Sequence, residues 1–304
     1  MTADPSPVPR IASTDELDIA YLDHGTGTPV VLLHGFPYDV ASYAAVASRL
    51  ARGGARVIVP YLRGFGPTRF RSAAGPRSGQ QAALGDDLRQ LLDALGIERA
   101  VLGGYDWGGR AACVVAALHP ERVLGLVTVG GYNVQDIAAA QTPEHPAREK
   151  AKWYQHYLQT ELGRRGLEQN REELCRLLWL DWSPTWQQAG AQFELSAPSL
   201  HNPDFVDVVV HSYRHRFGNA PGIARYAAME RRLAERPPIV VPTVSLAPEA
   251  DGFVTNSPED DREQFVGPFD GRPLPGVGHN PPQEQPASFA AAVESLLARF
   301  GDIG

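Results

Sequence analysis

Short apolar runs that alternate with amphipathic segments are the feature that most constrains the fold of this chain. Four runs bounded by turn residues predict buried parallel strands: PVVLLHG, ARVIVPY, RAVLGGY and VLGLVTVGG. Two segments between them, ASYAAVASRLARGG and GQQAALGDDLRQLLDALGI, have helical periodicity. Near the C-terminus, PPIVVPTVSLAP predicts a further strand and ASFAAAVESLLARFG a closing helix. The sequence therefore predicts an α/β fold with a mostly parallel central sheet flanked by helices.

A segment of different character interrupts this alternation. Residues 132–237 are rich in Trp, Tyr, His and Arg, contain helical stretches such as REELCRLLWL and PDFVDVVVHSYRHRF, and offer no convincing buried strand. We predict a core formed by residues 1–131 and 238–304, with residues 132–237 inserted as a helical cap. Because parallel sheets bind ligands at the carboxyl ends of their strands, we expect the pocket between core and cap.

Composition and charge argue against several classes of function. A formal net charge of −7 over 304 residues gives no electrostatic reason to expect a nucleic-acid partner. No segment approaches the apolar length that spans a bilayer, and the N-terminal MTADPSPVPR lacks the apolar core of a signal peptide. We therefore expect a cytoplasmic protein with no membrane partner. Nothing in the sequence indicates the oligomeric state.

Metal and cofactor signatures are weak. His211 and His215 have the i, i+4 spacing of two ligands on one helix face, but no third ligand is apparent. The glycine-rich segments form neither a dinucleotide fingerprint nor a P-loop. Cys113 and Cys175 are distant in sequence, which favours two reduced thiols over a disulfide. We expect no metal and no organic cofactor.

The stretch VLGGYDWGGRAAC, residues 101–113, predicts a sharp strand-to-helix turn built around one carboxylate. Gly104, Gly108 and Gly109 permit a tight turn, so that Asp106 projects at a helix N-terminus, where the helix dipole favours a negative charge. An ionised carboxylate there can attack an electrophilic carbon and form a covalent ester, whereas a serine would first need a base. Asp106 is therefore predicted to be a nucleophile rather than only a helix N-cap.

Four motifs occur in an order that resembles the α/β-hydrolase family: HGFP at 34–37, RGFGPT at 63–68, GYDWGG at 104–109 and GVGHNPPQEQP near the C-terminus. The resemblance covers nearly the whole chain. Within that family, an elbow aspartate followed by tryptophan resembles the capped epoxide hydrolases and haloalkane dehalogenases, and epoxide hydrolases most closely. It implies a hydrolase that converts a small-molecule epoxide and water into a vicinal diol through an ester on Asp106.

The resemblance also implies the partners of the nucleophile, in the chain order nucleophile, acid, histidine. His279, in GVGHN, is the implied base that activates water against the ester. Asp251, just after the late strand, is the implied acid that orients His279, and Glu249 and Asp136 stay open as alternative acids. The backbone N–H groups of Phe36 and Trp107 would form the oxyanion hole.

Two tyrosines of the inserted segment resemble the ring-opening pair of epoxide hydrolases. Opening an epoxide releases an alkoxide, which a neutral tyrosine with a pKa of about 10 can protonate. Tyr154 and Tyr213 match the family positions in order and context, and Tyr157 and Tyr226 remain their respective alternatives. We expect further substrate contacts from five side chains, namely His34, Pro37, Trp107, Tyr157 and Trp179.

Two other functions are compatible with the same motifs. A haloalkane dehalogenase would use the same Asp106 nucleophile and cradle the departing halide with N–H donors such as the indole of Trp107. A non-catalytic ligand-binding protein would keep the pocket without turnover. The apparently complete nucleophile, base and acid favour an enzyme.

Overall fold

A nine-stranded sheet forms the centre of the protein in a computed structural model, which describes residues 8–253, 257 and 259–300. The first seven residues, part of the segment searched for a signal peptide, lie outside the described residues. The strands are β1 (Arg10–Ser13), β2 (Leu17–His24), β3 (Pro29–Leu33), β4 (Arg56–Pro60), β5 (Arg69–Phe70), β6 (Ala100–Gly104), β7 (Val123–Val129), β8 (Thr243–Pro248) and β9 (Phe269–Leu274).

The strand order across the sheet is β1-β2-β4-β3-β6-β7-β8-β9, with β5 paired to β2 outside this row. Neighbours from β4 to β9 are parallel, whereas β2 is antiparallel to β1, β4 and β5. Every residue of β6 and β7 is buried, as expected for strands covered by helices on both faces. The predicted α/β-hydrolase fold with a mostly parallel sheet is confirmed.

Helices flank this sheet and fill the chain between β7 and β8. They are α1 (Ala44–Arg52), α2 (Gln81–Ala94), α3 (Asp106–Leu118), α4 (Pro146–Ala151), α5 (Trp153–Gln159), α6 (Glu161–Gln169), α7 (Arg171–Trp182), α8 (Ala189–Ser196), α9 (Phe205–Arg216), α10 (Ala227–Ala234), α11 (Pro281–Glu284) and α12 (Pro286–Leu297). No helix among the described residues is long and apolar enough to cross a membrane.

The late strand begins later than the sequence pattern predicted. The apolar run was expected to be strand from Pro237 onward, but β8 starts at Thr243 and the earlier part forms only one isolated bridge, between Ile239 and Phe265. Pro237, Pro238 and Pro242 have no backbone N–H to donate to a neighbouring strand, which explains the late start.

The segment between β7 and β8 contains α4 to α10 and no named strand, consistent with the predicted helical insertion; the boundaries 132 and 237 stay a prediction. Hydrogen bonds join this layer to the loop after β3. The hydroxyls of Ser196 and Ser199 both donate to the buried Asp39 carboxylate at 2.6 Å. The helical layer is thereby held over the carboxyl ends of β3, β6 and β8, where Asp106 and Asp251 lie.

Candidate active site

Asp106 occupies a strained turn between β6 and α3. Its backbone φ is +50°, a left-handed conformation that is uncommon for a residue other than glycine. At this turn α3 packs closely against β3. A Cβ at Gly108 would lie only 2.0 Å from the carbonyl oxygen of Leu33, so the position requires glycine. This packing fixes the Asp106 side chain, which is only 10% exposed, at the end of β6.

One oxygen of Asp106 is held by two backbone amides. The N–H groups of Phe36 and Trp107 donate to Oδ1 at 2.7 and 2.6 Å. Gly35 permits this approach, since a Cβ there would lie 2.6 Å from the Cβ of Asp106. The structure therefore brings together the two donors that the sequence nominated for an oxyanion hole; that role itself remains a prediction.

The other oxygen of Asp106 faces a buried His–Asp pair. His279 Nδ1 donates to Asp251 Oδ2 at 2.7 Å, and the backbone N–H of Phe253 donates to Asp251 Oδ1 at 2.7 Å. His279 Nε2 lies 3.7 Å from Asp106 Oδ2 and has no hydrogen-bond partner among the described residues. With Nδ1 occupied by Asp251, the nitrogen that remains for proton transfer is the one directed toward Asp106.

The charges of this group depend on one another. Burial by itself raises the pKa of Asp106, but His279, Arg110 and the Phe36 amide outweigh it and keep the pKa below its ordinary value. Burial lowers the pKa of His279, whereas the charges of Asp251 and Asp106 raise it to about 10. Asp106 is thus ionised, and a substantial part of the positive charge on His279 depends on it.

Tyr154 and Tyr213 lie side by side in the aromatic layer above this group. Their rings meet edge to face at 5.5 Å between centroids, and both side chains are buried. Gln155 Nε2 donates to the hydroxyl of Tyr154 at 2.9 Å. Burial is the main cause that raises the pKa of both tyrosines, with a further contribution from Asp106, so both hydroxyls keep their protons.

A cavity of about 290 Å³ opens onto Asp106. Tyr154 and Tyr213 are not part of its lining. Gln155, which contacts Tyr154, and Arg216, which contacts Tyr213, are part of it. The lining residues are Tyr105, Asp106, Arg110, Val129, Gly130, Tyr132, Asn133, Val134, Gln135, Arg148, Lys152, Gln155, Arg216, Asp251, Phe253 and His279.

Several residues expected to bind substrate lie outside this lining. Both ring nitrogens of His34 contact backbone groups, of Gly35 and Leu62, at 2.9 and 3.1 Å. The indole of Trp179 donates to the carbonyl of Pro37 at 3.0 Å, which occupies both residues in joining α7 to the loop after β3.

Three of the alternatives left open by the sequence, Tyr157, Tyr226 and Asp136, are also placed away from Asp106. The hydroxyl of Tyr157 lies over Gly166 of α6, where a Cβ would be 1.9 Å from it. Tyr226 donates to Glu16 at 2.8 Å. Asp136 accepts from the backbone of Ala139 and lines a neighbouring cavity, whereas Asp251 contacts His279.

Sequence reasoning missed two arginines in the cavity wall, Arg110 and Arg216. Arg110 stands one helical turn after Asp106 on α3, so its place on the same helix face could have been noticed. Arg216 ends α9, three residues after Tyr213, and its guanidinium lies 4.5 Å from the centre of that ring. Its approach to α3 depends on tertiary packing that no sequence motif shows.

Comparison with known proteins agrees with this architecture. Residues 28–266 match the family model for the alpha/beta hydrolase fold. A solved structure from Klebsiella pneumoniae, described as a "putative epoxide hydrolase", is 46% identical with a TM-score of 0.93, covering 95% of this chain and 96% of that one. The chain therefore belongs to the α/β-hydrolase family, and a hydrolase is confirmed at that level.

Curated relatives carry related names. Epoxide hydrolase A of Mycobacterium tuberculosis is 26% identical over 96% of this chain and 98% of that protein. Epoxide hydrolase 3 of Siraitia grosvenorii is 41% identical over 123 residues, which span 40% of this chain and only 36% of that relative's length. These names confirm, at the level of the family, the predicted resemblance to epoxide hydrolases.

Proposed function

We propose that this chain is an epoxide hydrolase, which converts an epoxide into a vicinal diol through a covalent ester on Asp106. The observation that carries the proposal is that the two carboxylate oxygens of Asp106 have different surroundings. Oδ1 is held by two backbone amides, and Oδ2 faces the unpartnered Nε2 of a histidine bound to a second carboxylate. This arrangement suits formation and hydrolysis of an ester.

In the first step, Asp106 attacks a ring carbon of the epoxide. A carbon–oxygen bond forms to the carboxylate and the ring carbon–oxygen bond breaks, leaving an alkoxide. Tyr154 and Tyr213, kept neutral by burial that raises their pKa, supply the proton that the alkoxide needs.

In the second step, His279 takes a proton from water, which attacks the carbonyl carbon of the ester. Esterification has removed the Asp106 charge, one of the causes that raise the pKa of His279, so its proton is released more readily. The amides of Phe36 and Trp107 stabilise the tetrahedral oxyanion. Its collapse breaks the bond between the Asp106 carbonyl carbon and the ester oxygen, and His279 passes the proton taken from water to that oxygen, which releases the diol. The proton left on the Asp106 carboxyl group restores the tyrosine that protonated the alkoxide, and Asp106 is again ionised.

Removal of the nucleophile tests this proposal. Asp106→Ala should abolish diol formation from a panel of neutral epoxides, measured by chromatography, whereas Asp136→Ala should retain it. Diol formation by Asp106→Ala at the wild-type rate would refute the mechanism.

Dehalogenation is the second candidate, and one observation favours it. The indole Nε1 of Trp107 is buried, adjacent to the nucleophile, and has no hydrogen-bond partner among the described residues. Such a donor suits a departing halide. Halide release from haloalkanes, measured beside diol formation, distinguishes the two reactions.

The cytoplasmic location remains a prediction of the sequence.

A further inference from the structure

The cavity that opens onto Asp106 carries more positive charge than the proposed reaction uses. Besides His279, four of its lining side chains are cationic at neutral pH, namely Arg110, Arg148, Lys152 and Arg216. Arg110 helps to keep Asp106 ionised, but no step of the proposed reaction uses the other three. Lys152 is paired with Glu144, and Arg148 is exposed to solvent, so the charges that need an explanation are those of Arg110 and Arg216.

Arg110 and Arg216 are buried, and neither guanidinium is fully hydrogen-bonded. They are 8% and 7% exposed, and two nitrogens of each guanidinium, Nε and Nη1 of Arg110 and Nε and Nη2 of Arg216, have no hydrogen-bond partner among the described residues. A buried guanidinium that lacks an acceptor is costly, because its desolvation is not offset by hydrogen bonds. Native proteins seldom leave such groups unpaired without a functional reason.

The carboxylates of the same cavity do not satisfy this pair. Asp251 accepts from His279 and Phe253, and Asp106 accepts from two backbone amides and faces His279. Arg216 lies near enough to lower the pKa of Arg110 below its ordinary value, with burial as the larger cause. With His279 protonated, Asp106 and Asp251 together leave one negative charge, which offsets part of the charge of the two arginines. Neither guanidinium has a hydrogen-bonded acceptor for the nitrogens named above among the described residues, so the pair can accept a further anionic group.

We propose that Arg110 and Arg216 bind a carboxylate of the substrate. A planar carboxylate matches the guanidinium fork, and two arginines can share its oxygens. Because both arginines line the same small cavity as Asp106, the carboxylate must lie close to the epoxide ring. The substrate class is therefore a 2,3-epoxycarboxylate and the product a 2,3-dihydroxycarboxylate, an assignment that rests on the proposed function.

The size of the cavity agrees with a small substrate. Its volume of about 290 Å³ lies at the lower end of the range of about 300–1,000 Å³ for ligand pockets. Arg216 also contacts the ring of Tyr213, so the bound carboxylate would lie beside a proposed ring-opening tyrosine. This geometry brings the negative group of the substrate to the arginines while a ring carbon faces Asp106.

Two measurements on matched compounds test the assignment. The first compares kcat/KM for 3-phenyl-2,3-epoxypropanoate with that for its neutral primary amide, which has nearly the same shape. The second measures, by calorimetry, binding of the corresponding dihydroxy acid and dihydroxy amide, and needs no turnover. We expect the acid to be preferred by roughly tenfold to a hundredfold in both, the value of a charge-assisted hydrogen bond.

Substitutions assign this preference to the arginines. Arg216→Met and Arg110→Met should each reduce the preference for acid over amide by about tenfold or more, and Arg216→Lys should retain part of it. Arg231→Met, on the exposed face of α10, removes the same charge and should leave the preference intact. Circular dichroism establishes whether each variant is folded. If the Met variants are not folded, the acid and amide measurements on the wild-type protein and on Arg216→Lys still test whether the arginines bind a carboxylate.

Equal binding of acid and amide by the wild-type protein would overturn the carboxylate site, as would an undiminished preference in folded Arg216→Met and Arg110→Met variants. Loss of epoxide turnover as a whole, with the dihydroxy acid still bound tightly, would instead contradict the proposed reaction and leave the binding site standing.

Discussion

At the scale of single residues, Tyr154 and Tyr213 are the groups that would distinguish the proposed ring opening from other chemistry at Asp106. Tyr154→Phe and Tyr213→Phe should each slow formation of the ester, and the double variant should lose about 10²–10⁴-fold, the usual contribution of general acid catalysis. Single-turnover kinetics, followed by the mass of the intact protein, measure this step.

Tyr157→Phe is the matched control for the two tyrosines, because its hydroxyl lies over Gly166 rather than near Asp106. Ester formation should continue at the wild-type rate in this variant. If Tyr157→Phe slowed ester formation as much as Tyr154→Phe does, the assignment of Tyr154 and Tyr213 as proton donors would be contradicted.

His279 should give the two steps different pH dependences. In the free protein, Asp251 and Asp106 outweigh burial and raise the pKa of His279 to about 10, so the imidazole is protonated at neutral pH. The ester lacks the Asp106 charge, so its His279 loses the proton at lower pH. Ester hydrolysis should therefore speed up as pH rises between about 6 and 9, whereas ester formation should change little.

Rapid-quench mass spectrometry across this pH range separates the two rates. The midpoint for ester hydrolysis should lie below the pKa of about 10 of His279 in the free protein. A hydrolysis rate that falls as pH rises would show that His279 is not the base.

At the scale of secondary-structure elements, the contact between α3 and β3 positions Asp106, the proposed nucleophile. Gly108→Ala should push α3 away from β3, since the added Cβ would meet the Leu33 carbonyl oxygen at 2.0 Å. We expect a loss of about 1–3 kcal/mol in the free energy of unfolding, typical of overpacking. Urea denaturation measures the loss.

Gly75→Ala is the control for this substitution, because the nearest atom to an added Cβ there lies 3.5 Å away. Gly75→Ala should change the free energy of unfolding by no more than about 0.5 kcal/mol. A Gly108→Ala variant as stable and active as the wild-type protein would contradict the claim that close packing of α3 against β3 positions Asp106.

The elements differed in how well the sequence predicted them. Strands β3, β4, β6 and β7 are continuous apolar runs because helices cover both faces, and their pattern was sufficient. The edge strand β9, with the sequence FDGRPL, was missed, since it is partly exposed and contains charged residues, glycine and proline.

At the scale of the whole molecule, Asp39 fastens the helical layer to the sheet. Its carboxylate accepts from Ser196 and Ser199 and from the backbone of Ala41. Asp39→Ala should lower the free energy of unfolding by about 1–3 kcal/mol for each buried hydroxyl left unpaired. Asp207→Ala, which removes an exposed carboxylate paired with Arg164, should cost no more than about 1 kcal/mol. Equal losses in the two variants, measured by urea denaturation, would contradict this role of Asp39.

The reactive centre was more predictable than the pocket around it. Asp106, His279 and Asp251 each belong to a local motif at a strand end, so chain order sufficed to nominate them, and the structure brings them together. Arg216 reaches the cavity from α9, a helix distant in sequence from Asp106, and no local pattern encodes that approach. Likewise, His34 was expected to bind substrate because of its motif, but its ring is engaged by backbone groups.

The most direct test of a covalent ester on Asp106 is the mass of the His279→Gln variant after mixing with an epoxide. Without the base, the ester should form and persist, so the intact protein should gain the mass of one epoxide molecule, and peptide mapping should place it on Asp106. A folded His279→Gln variant that gains no mass, or one that gains it equally after Asp106→Ala is added, would contradict the account.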